Sequence, residues 1–516
     1  MNNKIIAGAV SAAVLSLSGV ALADTTEDLV NALVTKGVLT EEEGALLSKG
    51  HDKKKKNTPT LKNKGGKFSI QSADGKNEIA LTGRMHFDYR ASDVDDDALD
   101  NSDTDDYDID GKSMSDEFEM RRARIGIKGK LDGIWKYDVV LNANGKSGKN
   151  LDTASLTFAA MKPFQIQVGR FKQAFNLEGL TSSNDIDFNE RSFINQISPH
   201  KKLGIAFKGE PIKGMTYMVS KYQEGFVTND VENENNYSGR LTYDYASANK
   251  IKDSIFHLGI SGFTEDYSAT PKSSSNGGTS THAKFLKFKS AGRGFSPLFR
   301  MDQGGQTLAN PGYSAKAKQS VHVESAILGL EAIIAKGPLK FQGEYAGGKF
   351  ESKDEIRGND MSADIESVYL SANYMLSGEH YSKSYKGGKM KGIKISNPFD
   401  FEKGTGTGAW EIGARYEHLD IDDIKINNAG AATSSRVVGA LDCGVATDDD
   451  YTSCNNGKGG ANQYTLGLKW LANQNVMAKI SYTYSDYDHD IIAKDLSSNE
   501  AFDSEQLLQT RVQWMF

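Results

Sequence analysis

The sequence is poor in the features that mark most chains of its size. It has two cysteines and nine prolines in 516 residues. Two cysteines cannot build a disulfide-rich scaffold, and the CxxC spacing of redox and zinc sites is absent. Apolar residues make up 38%, too few Leu, Ile and Val for a large globular core, and the mean hydropathy is −0.51. Past the N-terminus there is no uncharged apolar run of about 18 residues, which excludes a helical membrane protein. No nucleophile elbow, H-E-x-x-H, P-loop or dinucleotide fingerprint stands in a suitable context, and the nine histidines are scattered without ligand spacing. The chain therefore reads as no enzyme and carries no cofactor motif, although a Ser/His pair brought together across strands would escape such a scan. The balance is acidic, with 61 Lys plus Arg against 68 Asp plus Glu, so the field that nucleic acid requires is missing. Wholesale disorder fits poorly too, because aromatics are plentiful and the polar residues are patterned.

What is present is glycine (52), tyrosine (21) and phenylalanine (23). A transmembrane β-barrel is embedded in a membrane and yet hydrophilic on average, since only every second strand residue must be apolar. Residues 1–23 read as a secretory signal: Lys4, then the small-residue apolar stretch Ile5–Val20, then Ala21-Leu22-Ala23 before Asp24. A retained anchor helix is the alternative. Cleavage removes one Lys and no acid, moving the formal charge from −7 to −8. In an exported chain, Cys443 and Cys454 read as a local disulfide closing a Gly/Asp/Asn-rich loop, with a free pair as the alternative.

Residues 24–66 read as a periplasmic helical extension and linker. Thr25 with Asp28 and Thr40 with Glu43 resemble capping boxes, and Gly37 fits a helix stop. Lys53–Lys56 begins a polar linker, whose lysines could also touch an anionic polymer or membrane.

From about Phe68 the apolar period becomes two, and residues 67–516 read as one barrel domain. In Ile79–Tyr89 the odd positions are apolar apart from Gly83. The same alternation runs through Ala123–Ile127, Trp135–Leu141, Leu241–Tyr245, Val368–Leu376, Trp410–Tyr416 and Val476–Tyr484. A soluble sandwich alternates as well. Against it stand strands of bilayer-crossing length, aromatics near strand ends, and connections that are short in some places and long in others. Lys162-Pro163, Lys336-Gly337-Pro338 and Ala472-Asn473-Gln474 are tight. Asp93–Ser115, Glu265–Ser320, Gly378–Gly408 and Asp420–Asn462 are long and are expected at the external end. The last strand carries Leu508, Thr510, Val512, Trp514 and Phe516 on one face. A terminal aromatic on such a strand resembles the signal read by bacterial barrel-insertion machinery, so that machinery and outer-membrane lipid with lipopolysaccharide are expected partners.

Several stretches resemble the phosphate-selective porins of the O and P type. They are Glu119–Gly126, Val168–Lys172 with Thr181–Ser183, Phe188–Ser192, Tyr374–Glu379 and Gly408–Tyr416, spread over about residues 78–516. The resemblance implies an antiparallel barrel of 16 strands in the outer membrane, usually a homotrimer, with an inward-folded third loop narrowing the pore. It also implies a preference for small anions, phosphate among them. Gln173–His200 is placed as that loop would be, between the strands Gln165–Phe171 and Leu203–Gly209.

If Ala123, Ile125 and Ile127 face lipid, then Arg122, Arg124, Lys128 and Lys130 face the lumen. Arg84, Arg240 and Arg415 land on inner faces by the same rule. Arg170 and Lys172 precede the candidate loop, with no direction fixed by alternation, and Arg191 lies on it. Guanidinium and ammonium groups replace part of the hydration an anion loses in a narrow pore. The plainer reading is a solvated lining in which Asp88, Asp138, Glu411 and Glu417 pair with these cations. A general or organic-solute porin and a structural or adhesive barrel are the other functions considered. Asp106–Glu117 matches an EF-hand-like spacing, but with ten Asp between Asp93 and Asp110 it reads first as a solvated acidic loop, and no metal is assigned.

Overall fold

The computed structural model describes residue 30 and residues 33–47, 58–64, 67–94, 117–144, 150–223, 231–233, 235–269, 280–290, 298–306, 321–354, 359–427, 436–438, 441–444, 453–492 and 501–516. The signal segment, the Thr25/Asp28 box, the Lys53–Lys56 run and most of the acidic Asp106–Glu117 stretch lie outside these residues. The chain divides into two compact units, Met1–Lys62 with Ile70–Glu78, and Asn63–Ser69 with Ile79–Phe516. In the first unit the second capping box is reciprocal. Thr40 N donates to Glu43 Oε2 at 3.0 Å and Glu43 N donates to Thr40 Oγ1 at 3.1 Å, opening the helix at 41–47. Gly37 takes a left-handed φ of 71° and ends the preceding turn.

The second unit is a closed antiparallel barrel of 16 strands. In chain order these are β1 (Glu78–Val94), β2 (Glu117–Leu131), β3 (Trp135–Asn142), β4 (Leu151–Phe158), β5 (Gln165–Lys172), β6 (Lys201–Gly209), β7 (Met215–Gln223) and β8 (Tyr237–Asp244). They continue as β9 (Ser254–Ala269), β10 (Val321–Lys336), β11 (Leu339–Asp354), β12 (Asn359–Met375), β13 (Ala409–Asn427), β14 (Ser453–Leu471), β15 (Val476–Ile492) and β16 (Ala501–Met515). The barrel closes by pairing β16 with β1, where Arg511 lies opposite Asp88 and Val512 opposite Phe87. Phe516 completes the seam: Gly83 N donates to its carbonyl at 3.0 Å, and Phe516 N donates to Gly83 O at 3.2 Å. A Cβ on Gly83 would stand 2.3 Å from the Phe516 ring. This explains the single gap in the apolar stripe of β1. The missing side chain is supplied by the last residue of the chain.

Alternation puts Ile125, Val139, Leu258, Leu328, Leu370, Leu466 and Val512 on the exposed outer face, where water would penalise them and lipid does not. Aromatic rings edge this band. Trp410 stacks on Trp470 at 5.7 Å near the tight turns, and Tyr416 meets Tyr464 at 5.2 Å towards the loops. The wall is uneven. Strands β3–β8 have 8 or 9 residues, whereas β9–β16 have 15 to 19 and extend past the length a bilayer needs.

Strand parity corrects one expectation. Gly378–Gly408 joins β12 to β13 and therefore lies at the end of the tight turns, with Lys336-Gly337-Pro338, rather than among the long loops of the other end. Length alone suggested an external loop, but an even count of crossings decides the end. The segment turns inward. Tyr381, Met390 and Ile393 pack with Leu177, Ile255, Ile333, Met375, Leu471 and Met477.

The opposite end has its own core. Strands Ser280–Phe288, Phe299–Gln306 and Arg436–Val438 form a small antiparallel sheet. Phe288, Leu298, Phe299 and Met301 from it join one buried cluster with Phe193, Ile194 and Ile197 and with inward residues of the barrel such as Phe350, Ile365, Leu419 and Ile424. Inner strand faces thus do not all meet water: on the tall side they hold packed loops. Leu441–Gly444 pairs along β14, and there Cys443 and Cys454 are disulfide-bonded with Cα atoms 4.4 Å apart.

Candidate functional site

Residues 173–200 leave β5, cross the lumen and return to β6. Their buried apolar side chains include Phe175, Leu177, Ile186, Phe188, Phe193 and Ile194. A loop that buries backbone must satisfy its N–H and C=O groups, and charged wall residues do this. The Glu344 carboxylate of β11 accepts the backbone N–H of Leu177 at 2.6 Å and of Glu178 at 2.7 Å. Glu417 of β13 accepts Phe193 N at 2.9 Å. Lys479 of β15 donates to the carbonyls of Ile186 and Phe188, and Arg511 of β16 donates to Asn189 O at 2.6 Å. Lys340 Nζ is 2.7 Å from Asp187, whose other neighbour is Lys469 at 3.7 Å. Glu190 binds Arg121 and Arg511, and Arg84 reaches Ser182 and Ser183 at 3.3 and 2.7 Å.

The ten cations expected in the lumen therefore divide by what they touch. Arg415 is buried, bonded to Glu417 at 2.6 Å and Glu178 at 3.3 Å, and lies over the Phe188 ring at 4.9 Å. Arg240 is buried against Glu331 and donates to Gly388 O of the inward turn segment at 2.6 Å. These two hold inserted segments. Arg122 is buried with Nη1 3.4 Å from His86 Nδ1. Lys172 donates to the carbonyls of Gly179 and Thr181, and Arg191 donates to those of Glu178 and Thr181, so both cations are fixed at the loop's inner bend. Arg124 pairs with Asp152 at 3.0 Å while keeping 20% of its side chain exposed. Lys128 approaches Thr82 Oγ1 at 3.4 Å, and Lys130 is exposed. Arg170 is half-buried opposite Ala154 and Leu203.

Other charges share the same space. Lys201 pairs with Asp152, and Lys136 and Lys208 stand on β3 and β6. Asp185 on the loop feels Arg84, Lys391, Lys479 and Lys469, while burial holds its carboxyl above the usual range. Lys389, on the inward turn segment, has its ammonium pushed down to about 7, first by burial and then by Lys391, Arg240 and Lys208. Strand parity also turns Lys469, Lys479 and Arg511 inward, a signal the sequence carries. It could not separate a cation that meets water from one that meets a loop. Arg121 carried no such signal, because alternation puts it on the face of Ala123, yet it bonds Glu190 inside the lumen.

A closed barrel with an apolar outer belt, a charged lumen and an inserted loop defines an outer-membrane porin. The chain belongs to the family of phosphate-selective porins O and P, whose model matches residues 79–516. Porin O of Pseudomonas aeruginosa is 23% identical over 468 residues, which cover 88% of this chain and 92% of that protein. Among solved structures, OmpT of Vibrio cholerae aligns with a TM-score of 0.44 at 10% identity, over 86% of this chain and 98% of that one. An anion-selective porin from Comamonas acidovorans aligns with a TM-score of 0.43 at 12% identity, over 85% of this chain and 100% of that one.

Proposed function

We propose that this porin passes small anions, phosphate among them, by passive diffusion along a basic track on the low side of the barrel. The observation that carries the reading is the set of cations facing the space between the inserted loop and β1–β6. Arg84, Arg124, Lys128, Lys130, Lys136, Lys201 and Lys208 stand there, with Lys172 and Arg191 at the loop bend, against the carboxylates Asp138, Asp152 and Asp185. The tall side is packed with loops, so ions are confined to the basic side, where fixed charge acts at short range. Membership of a family described as phosphate-selective supports phosphate as the favoured solute. A channel needs no catalytic group, which agrees with the missing catalytic motifs. The working unit is a homotrimer in contact with outer-membrane lipid and lipopolysaccharide, and Phe516 serves as the insertion signal.

The reversal potential across a planar bilayer under a KCl gradient tests this reading, and it should have the sign of anion preference. Arg124→Glu changes the local charge by two units. At roughly 8 Å in a water-like medium that is about 1 kcal/mol for a passing monovalent anion, or roughly fivefold in its local concentration before screening. Cation selectivity of the unaltered protein would overturn the anion reading. Unchanged selectivity in Arg124→Glu would remove Arg124 from the track. A barrel without any conductance would favour a structural role.

A further inference from the structure

On the outer wall, beyond the apolar belt at the loop end, three side chains of two neighbouring strands converge. On β10 the outward positions run Leu330, Leu328, Ala326, Glu324, His322, and on β9 they run Ile260, Gly262, Thr264, Asp266. The register sets Asp266 directly opposite Glu324 and sets His322 opposite Ser268, one outward step along the ladder. Residues two apart share a face, so the histidine and both carboxylates lie on one small patch.

His322 Nε2 stands 2.9 Å from Glu324 Oε1 and 3.3 Å from Asp266 Oδ1. One ligand atom from each of the three residues falls within 4.8 Å of the others. A tetrahedral zinc ion with bonds of about 2.0–2.2 Å requires donor atoms roughly 3.3–3.5 Å apart, so closure of this triad asks for movements on the order of an ångström. Asp266 is held in place from behind. Its Oδ2 accepts Asn235 Nδ2 at 3.3 Å, and its backbone N–H donates to Asn236 Oδ1 at 2.8 Å. Its Oδ1 is screened from solvent and has the His322 ring at 3.3 Å beside it. A half-buried carboxylate whose inner oxygen faces only an imidazole and a second carboxylate is suited to a cation.

We propose that Asp266, His322 and Glu324 form a binding site for a divalent transition-metal ion of the zinc class on the outside of the barrel. With the imidazole neutral, the triad carries two negative charges and offers one nitrogen and two oxygens, a mixed donor set that prefers zinc-like ions to magnesium. The protein fills three positions and leaves at least one open, to be taken by water. The site lies on the face opposite the lumen, so its occupancy is separate from ion passage.

Zinc titration of the full-length protein in detergent, followed by calorimetry, tests the proposal. Cobalt substitution read by its visible absorption gives an independent measure. The unaltered protein should bind one zinc equivalent that His322→Ala and Asp266→Asn each weaken at least about tenfold. The same variants should lose a cobalt band typical of four-coordinate geometry. Circular dichroism reports whether the barrel of each variant is intact, and Glu324→Gln provides a third, exposed position. Equal zinc stoichiometry and affinity in the unaltered protein and in all three folded variants would overturn the assignment.

Discussion

Replacing Glu344 with alanine perturbs the pore through a residue that is buried in the barrel wall. Its carboxylate accepts the backbone N–H groups of Leu177 and Glu178, and also the Tyr369 hydroxyl at 2.6 Å. A buried donor left without its acceptor costs about 1–3 kcal/mol. Three such donors set the local loss at roughly 3–9 kcal/mol, and water entering from the lumen would bring the value to the lower end. The rest of the loop keeps its own anchors on β13, β15 and β16, so the barrel stays assembled and only the stretch around residues 177–181 is released. That stretch supplies the carbonyls that hold Lys172 and Arg191. Its release widens the passage and frees two cations from their fixed positions. Single-channel recording should show a larger and noisier unitary conductance, together with weaker anion preference. Glu344→Gln keeps one acceptor oxygen but points an amide N–H at a backbone N–H, costing about 1–3 kcal/mol, and should fall between the two. Conductance and noise in Glu344→Ala identical to those of the unaltered protein would refute the claim that this carboxylate sets the constriction.

Three further outcomes are expected. Gly83→Val drives a side chain into the Phe516 ring and should weaken the β16–β1 seam by roughly 1–3 kcal/mol. This would be read as a lower temperature for loss of the SDS-resistant barrel, and Phe516→Ala in the same chain should relieve part of the defect. Lys389 has its ammonium near 7 because burial lowers it, so it is charged below that pH and neutral above it. Anion preference should therefore fall as pH rises through about 7, and Lys389→Met should remove that step. Retention of the same pH profile in Lys389→Met would assign the titration to another group. Cys443→Ser with Cys454→Ser opens a loop of 11 residues of separation and should lower local stability by about 2–3 kcal/mol. Hydrogen exchange where β14 pairs with Leu441–Gly444 should speed up, while conductance stays the same.

Alternation made most of the barrel legible. A period of two through strands such as Ile79–Tyr89 and Trp410–Tyr416 is a local property, because each residue's face follows from its neighbours and from the lipid outside. The inserted loop was legible for a related reason: a long connection with Phe175, Ile186, Phe188 and Ile194 must bury them somewhere. The inward turn segment at Gly378–Gly408 was not, because its end of the barrel depends on counting every crossing before it. Gly83 looked like a flaw in its stripe until Phe516, far along the chain, was seen to cover it.

The sequence by itself determined that this chain spans the outer membrane with strands and lines one strand face with charge. These follow from patterns that repeat every two residues. Only the tertiary structure decided what each inward charge does. Arg415 and Arg240 share the inward parity of Arg124 and Lys130, yet they meet Glu417 and Glu331 under inserted segments, while the other pair faces the low side of the lumen. The reason is physical. Parity fixes the side of the wall a residue faces, but whether a loop or water stands before it is set by contacts between residues hundreds of positions apart.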